Sequence, residues 1–159
     1  MATVARNRPA STDARGARAA ALALRIMAIL VGVFFAGMGL NKLTWIPDSG
    51  ILAQKFEVFA KGAPPLVRSY IEMVAVPGAP VFARLVPIAE LATATALILG
   101  FWTRLAALLA LFMILNFHFA TASFFHWEFL RDGTGPPLIG ALLALVIAGT
   151  NLPWTVTKP

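Results

Sequence analysis

Apolar residues in this chain do not alternate with polar ones; they come in long runs. Four runs, Ala20–Leu43, Val81–Phe101, Leu105–Phe125 and Pro136–Leu152, carry few charges. The hydrocarbon layer takes about 20 residues of helix to cross, so each run is read as a transmembrane helix. Trp102, Thr103 and Arg104 alone join the second run to the third, and Arg131 to Gly135 join the third to the fourth. Joins this short force neighbouring helices to run in opposite directions. The pattern predicts an all-α integral membrane protein, a four-transmembrane-helix antiparallel bundle.

The stretch between the first two runs is too long for a turn and has a helical period of its own. Ile51, Leu52, Phe56 and Phe59 recur at helical spacing, as do Leu66, Val67, Tyr70, Ile71 and Val74 after Pro64 and Pro65. Lys55, Glu57, Arg68 and Glu72 fall between them. Residues 50–76 are therefore expected to form an extracytoplasmic amphipathic helical segment, on the membrane surface or capping the bundle. Small residues four apart in each run (Ala28, Gly32 and Ala36; Ala92, Ala96 and Gly100; Ala106 and Ala110; Gly140, Ala144 and Ala148) are expected at the seams. Lipid tails remove the hydrophobic drive between helices, so close backbone approach has to replace it.

Composition agrees: 59% of the residues are hydrophobic and 13% charged, far from a soluble domain. The net charge of +6 does not indicate nucleic acid, because the basic residues sit at helix ends and form no patch interleaved with exposed aromatics. Arg6, Arg8, Arg15 and Arg18 precede the first span, which favours cytoplasmic N- and C-termini. Residues 1–18 lack an apolar period and are expected to be a flexible basic tail touching lipid headgroups, and residues 153–159 form a short tail. Without cysteine the chain can form no thiolate metal site, and no metal-ligand cluster is visible.

The informative residues are the polar ones in apolar surroundings. Glu90 lies about nine residues into its span, near the bilayer midplane, where an ionised carboxylate costs ~2.5 kcal/mol or more. It must be protonated, paired or facing water. Arg25 can extend toward it or snorkel to the headgroups. Lys42 and Arg84 lie near the outer ends of their spans, and Arg84, six residues before Glu90, points to the other side of its helix. Asn116 and His118 in the third span are about 200° apart and cannot share a face. His118, on the side of Thr121 and Ala122, is the one expected to face Glu90. Such a pair suits proton transfer to a quinone or another carrier, and equally a structural hydrogen bond fixing helix register.

Residues 117–129, "FHFATASFFHWEF", hold six aromatics. With His126 and Trp127 they can line a slot for a flat quinone ring, or form an aromatic belt at the outer interface. Haem ligation by His118 and His126 is disfavoured, since both belong to one run at unequal depths.

The pattern "RIMAILVGVFFAGMGLNKL", Arg25 to Leu43, followed by "ELATATALILGFWTRLAALLALFMILNFH", Glu90 to His118, resembles the DoxX family of small bacterial membrane proteins. The resemblance implies a multi-pass four-helix bundle in the bacterial inner membrane and a place in quinone-linked redox or oxidative-stress systems. By position it marks Arg25, Lys42, Glu90 and Arg104 as the family's polar residues, with His118 a weaker match. The long inter-span segment and the basic tail depart from the pattern. The expected function is a membrane subunit supporting a quinone-linked redox system, with Glu90 and His118 handling protons or the quinone headgroup. Arg25, Lys42 and Arg104 would be structural or interfacial cations, placed with His126 and Trp127 near a bound quinone. A non-catalytic anchor or assembly factor, with a protein partner or a second copy, is the rival; a transporter working as an oligomer is third.

Overall fold

The computed structural model describes residues 10–156, and among them six α-helices and no strand. They are α1 (Ala10–Asn41), α2 (Gly50–Ala60), α3 (Pro65–Tyr70), α4 (Val76–Leu99), α5 (Thr103–Ala120) and α6 (Pro136–Ala148). Three stretches are long and apolar enough to cross a membrane: Asp13–Trp45, Pro65–Leu99 and Thr103–Ala120. The expected fourth span is the shorter α6, 13 residues between the Pro136–Pro137 start and Gly149. It rises roughly 20 Å, less than the ~30 Å hydrocarbon core.

Three boundaries differ from expectation. Helix α1 begins at Ala10, inside the segment expected to be a flexible tail, because the Ala- and Arg-rich residues before the apolar run are strong helix formers. Residues 1–9 of that tail, and residues 157–159 of the C-terminal one, lie outside the described residues. Helix α5 stops at Ala120 instead of Phe125; Ala122 takes a left-handed conformation, and two short 3-10 turns, Ser123–Phe125 and Trp127–Arg131, fill the connection to α6. The second amphipathic helix, α3, does not end: one π-helical turn at Ile71–Ala75 carries it into α4. That wide turn directly precedes Pro77, which has no N–H to give the helical ladder.

Helix α4 is the axis of the molecule. Helix α1 lies along it, α2 packs at its start, α5 flanks it, and α6 pairs with α5 and touches α1. Residue numbers rise along α1 as they fall along α4: Arg25 meets Leu97, Gly32 meets Ala94 and Ile98, Gly39 meets Pro87 and Leu91. The glycines permit this approach. A Cβ on Gly32 would lie 2.8 Å from Ile98 Cγ1 and 3.0 Å from the Ala94 carbonyl oxygen, and one on Gly39 2.8 Å from Leu91 Cγ.

Two buried clusters result. The larger joins α1, the second half of α4, α5 and α6 through residues such as Phe35, Leu97, Ala107, Leu142 and Leu145. The second joins α2, α3 and the first half of α4 through Leu52, Phe56, Val67, Ile71, Ala79 and Ala83. The expected seams hold for Ala28, Gly32, Ala106 and Ala110, which are buried. They fail at Ala92, Gly140 and Ala148, which are exposed; α6 packs instead through Leu138, Leu142 and Leu145. When lipid and helix neighbours are both apolar, small-residue spacing does not reveal which side meets which.

Candidate functional site

Glu90 projects from the middle of α4 and is 5% exposed. Its partner is Lys42, just past the end of α1, whose Nζ donates to Glu90 Oε1 in a buried ion pair. The Trp45 ring lies beside the same ammonium, 5.7 Å from Nζ to ring centroid, within reach of a cation–π attraction. The other carboxylate oxygen, Oε2, is buried and has no hydrogen-bond partner. A buried acceptor left unmatched costs about 1–3 kcal/mol, so this oxygen is the conspicuous polar vacancy of the pair.

Beside the pair is a chamber of about 320 Å³. Lys42, Glu90, Trp45, Phe56, Tyr70 and Phe82 are among its walls, which come from the end of α1, from α2 and α3, and from α4 and α5. The folding back of the amphipathic segment builds this space: α2 supplies Leu52, Phe56 and Phe59, and α3 supplies Tyr70. Tyr70 Oη donates to Asn116 Oδ1 at 2.8 Å and ties α3 to α5. A volume near 300 Å³ with aromatic walls and a few convergent polar groups suits a small ring-shaped ligand.

The expected facing of Glu90 and His118 is corrected. His118 is 0% exposed, but its Nε2 lies 2.9 Å from the Thr134 carbonyl oxygen, in the connection between α5 and α6. Phe117, Phe124 and Phe129 rings surround it, and Nδ1 has no partner. Asn116, on the opposite side of α5 from His118, is the residue that reaches the chamber. Asp132 secures the loop that covers His118, accepting from the Thr134 N–H and hydroxyl, each at 2.8 Å. Those two bonds hold the Asp132 carboxyl below its ordinary range.

Arg25 and Arg104 lie elsewhere. The buried Arg25 donates from Nη1 to the Leu97 carbonyl at 2.8 Å and from Nη2 to the Ile98 carbonyl at 2.5 Å, answering the open end of α4. Arg104 Nε donates to the Val146 carbonyl at 2.7 Å, doing the same for α6. His126 and Trp127 are exposed and line no part of the chamber; His126 edges a separate depression with Glu128 and Asp132. Arg84 bonds the Pro80 carbonyl of its own helix.

Trp45, Tyr70, Phe56 and Phe82 are chamber residues that the sequence reading did not select. A partial signal was present, because Trp45 follows Lys42 by three residues and Tyr70 lies on the apolar stripe of the amphipathic segment. Nothing local linked either to Glu90.

No curated protein and no solved structure matches the chain. The sequence model of the DoxX family matches residues 20–127, which include α1 from Ala20 onward, α2 to α5 and both members of the Lys42–Glu90 pair, and the chain belongs to the DoxX family.

Proposed function

We propose that the chain is a four-span antiparallel subunit of the bacterial inner membrane, with both termini cytoplasmic, that supports a quinone-linked redox system by binding the quinone headgroup in the Lys42–Glu90 chamber. The observation that carries this reading is a buried ion pair with one carboxylate oxygen unpartnered, set in the wall of an aromatic chamber. A flat ring fits between Trp45, Phe56 and Phe82 by stacking. Lys42 has donors beyond the one used on Glu90 and can give one to a ring oxygen, while Glu90 Oε2 can accept from a ring hydroxyl. A quinone, when bound, supplies a couple that takes up two electrons and two protons. The Lys42 ammonium would carry one of those protons, the Glu90 carboxylate would have to take up the second from outside the pair before passing it on, and the electrons would come from a redox partner.

Glu90→Gln keeps the size and one acceptor but removes the charge. Protein reaching the membrane at normal levels should then show at least a tenfold fall in quinone reduction by the native complex. Full activity in that variant removes the proton-handling role.

A second reading, an assembly surface, is favoured by the exposed Val58, Leu66 and Met73 on the amphipathic segment. Leu66→Glu and Met73→Glu leave the packed face intact; unchanged co-purification of a partner with both would count against this reading.

A further inference from the structure

A second hollow adjoins the chamber. Phe82, Val86, Met113 and Asn116 in the chamber's walls also line this hollow, of about 520 Å³, lying between α4 and α5. This hollow continues along α4 past Ala89, Ala92 and Ala96 and along α5 past Phe112 and Leu109, as far as the Phe101–Trp102 turn. From Phe82 to Ala96 the helix rises roughly 20 Å. Ala92, Leu109 and Phe112 are exposed, so the groove faces outward from the bundle, between two helices long and apolar enough to cross a membrane.

Ala92 and Ala96 were expected to mark a helix seam, yet Ala92 faces no neighbouring helix. Their small side chains, with that of Ala89, leave room along one line of α4 where larger ones would fill the groove. The groove's polar lining is limited to Thr93 and Asn116 beside apolar residues and the indole of Trp102, which does not suit a water path. At its far end stands the chamber, with Lys42 and Glu90 among its walls.

We infer that the α4–α5 groove holds the hydrocarbon tail of the chamber's ligand, which enters sideways from the bilayer; the ligand class is a membrane-dissolved ring with a long apolar tail. This rests on the reading of the chamber as a headgroup site. Ala92 and Leu109 then decide selectivity for the tail without touching the ring.

The experiment uses the full chain purified in mild detergent and native mass spectrometry with two probes, a methyl-dimethoxy-benzoquinone without a tail and the same ring with a decyl chain. Wild-type protein should bind the decyl probe at least tenfold more tightly. Ala92→Phe, which fills the groove from α4, and Leu109→Trp, which fills it from α5, should each abolish that advantage while leaving the tail-less affinity within twofold. Partition of the decyl probe into micelles is common to all the proteins and cancels between wild type and variants; for the comparison of the two probes on wild type, affinities are taken against the free decyl concentration left after its measured partition. Equal affinity of wild type for the two probes, or a decyl advantage that survives both substitutions, overturns the groove and leaves the headgroup site standing. Loss of both probes in both variants also overturns it, since groove and chamber would not be separable. Failure of wild type to bind either probe overturns the chamber reading together with this one.

Discussion

At one end of the α1–α4 contact a buried arginine, Arg25, meets the carbonyls of Leu97 and Ile98; at the other a buried lysine, Lys42, meets the carboxylate of Glu90. Both place a cation among apolar side chains, and the two are solved by different chemistry. The guanidinium is a planar fork that stays charged, and two carbonyls at a helix end match it. Such a contact closes a helix and leaves nothing that can exchange a proton. The ammonium is a compact charge facing an acid, with donors to spare, a free carboxylate oxygen opposite and a chamber beside it. The same need, to satisfy a charge away from water, yields a fastening at one end and an ion pair beside a chamber at the other.

The largest test of that contrast is to break the ion pair. Lys42→Met strands a buried carboxylate, and unfolding in detergent should show a loss of about 3–5 kcal/mol, with most of it regained in the Lys42→Met, Glu90→Met double variant. A loss in the double variant equal to the sum of the losses in Lys42→Met and Glu90→Met alone would show that the two groups are not coupled. At the other end, Arg25→Met removes two charge-assisted bonds and should cost about 2–3 kcal/mol. It should leave the affinity for a tail-less quinone unchanged; a parallel fall in affinity would erase the distinction between the two ends.

A smaller effect concerns how the ends are held in register. Gly39→Ala presses a methyl against Leu91 and should lower stability by about 1–3 kcal/mol, whereas Gly37→Ala, with nothing within 4 Å, should not lower it. The smallest is a pH effect outside both ends. Asp132 has a folded pKa below its ordinary 3.8 because Thr134 bonds its charged form. A depressed carboxyl contributes stability above its unfolded pKa and loses it as pH falls through the folded one. The loop over His118 should therefore keep its amide protection near neutral pH and lose it progressively below about pH 4. Asp132→Asn should flatten that profile in hydrogen-exchange measurements.

Much of the fold was legible because lipid imposes simple rules. A run of about 20 apolar residues must be helical to satisfy its backbone, so α1, α4 and α5 could be placed from the pattern. Glu90 was legible as exceptional for the same reason: a carboxylate in such a run demands an explanation. Its partner was not. Depth counting assigns each residue a level within its own span, and it put Lys42 near an outer end, far from the midplane. The pairing depends on how α1 slides along α4, and that offset is set by contacts of Gly32 and Gly39 with residues far along the chain, Ala94 and Ile98, Pro87 and Leu91. His118 was misassigned for a related reason. Its surroundings come from the two 3-10 turns after Ala120, where a continuing helix was expected.

By itself the sequence determined that this protein is helical, that it belongs in lipid and that one acid is out of place there, because these follow from periodicity and from the free energy of transfer, which are local properties. Tertiary structure alone decided which cation answers that acid, which of two polar residues on α5 reaches the chamber beside it, and which alanine stripe faces a helix and which an open groove. Those depend on the rotation and offset of helices whose apolar faces look alike, and in lipid only the close fit of side chains distinguishes them.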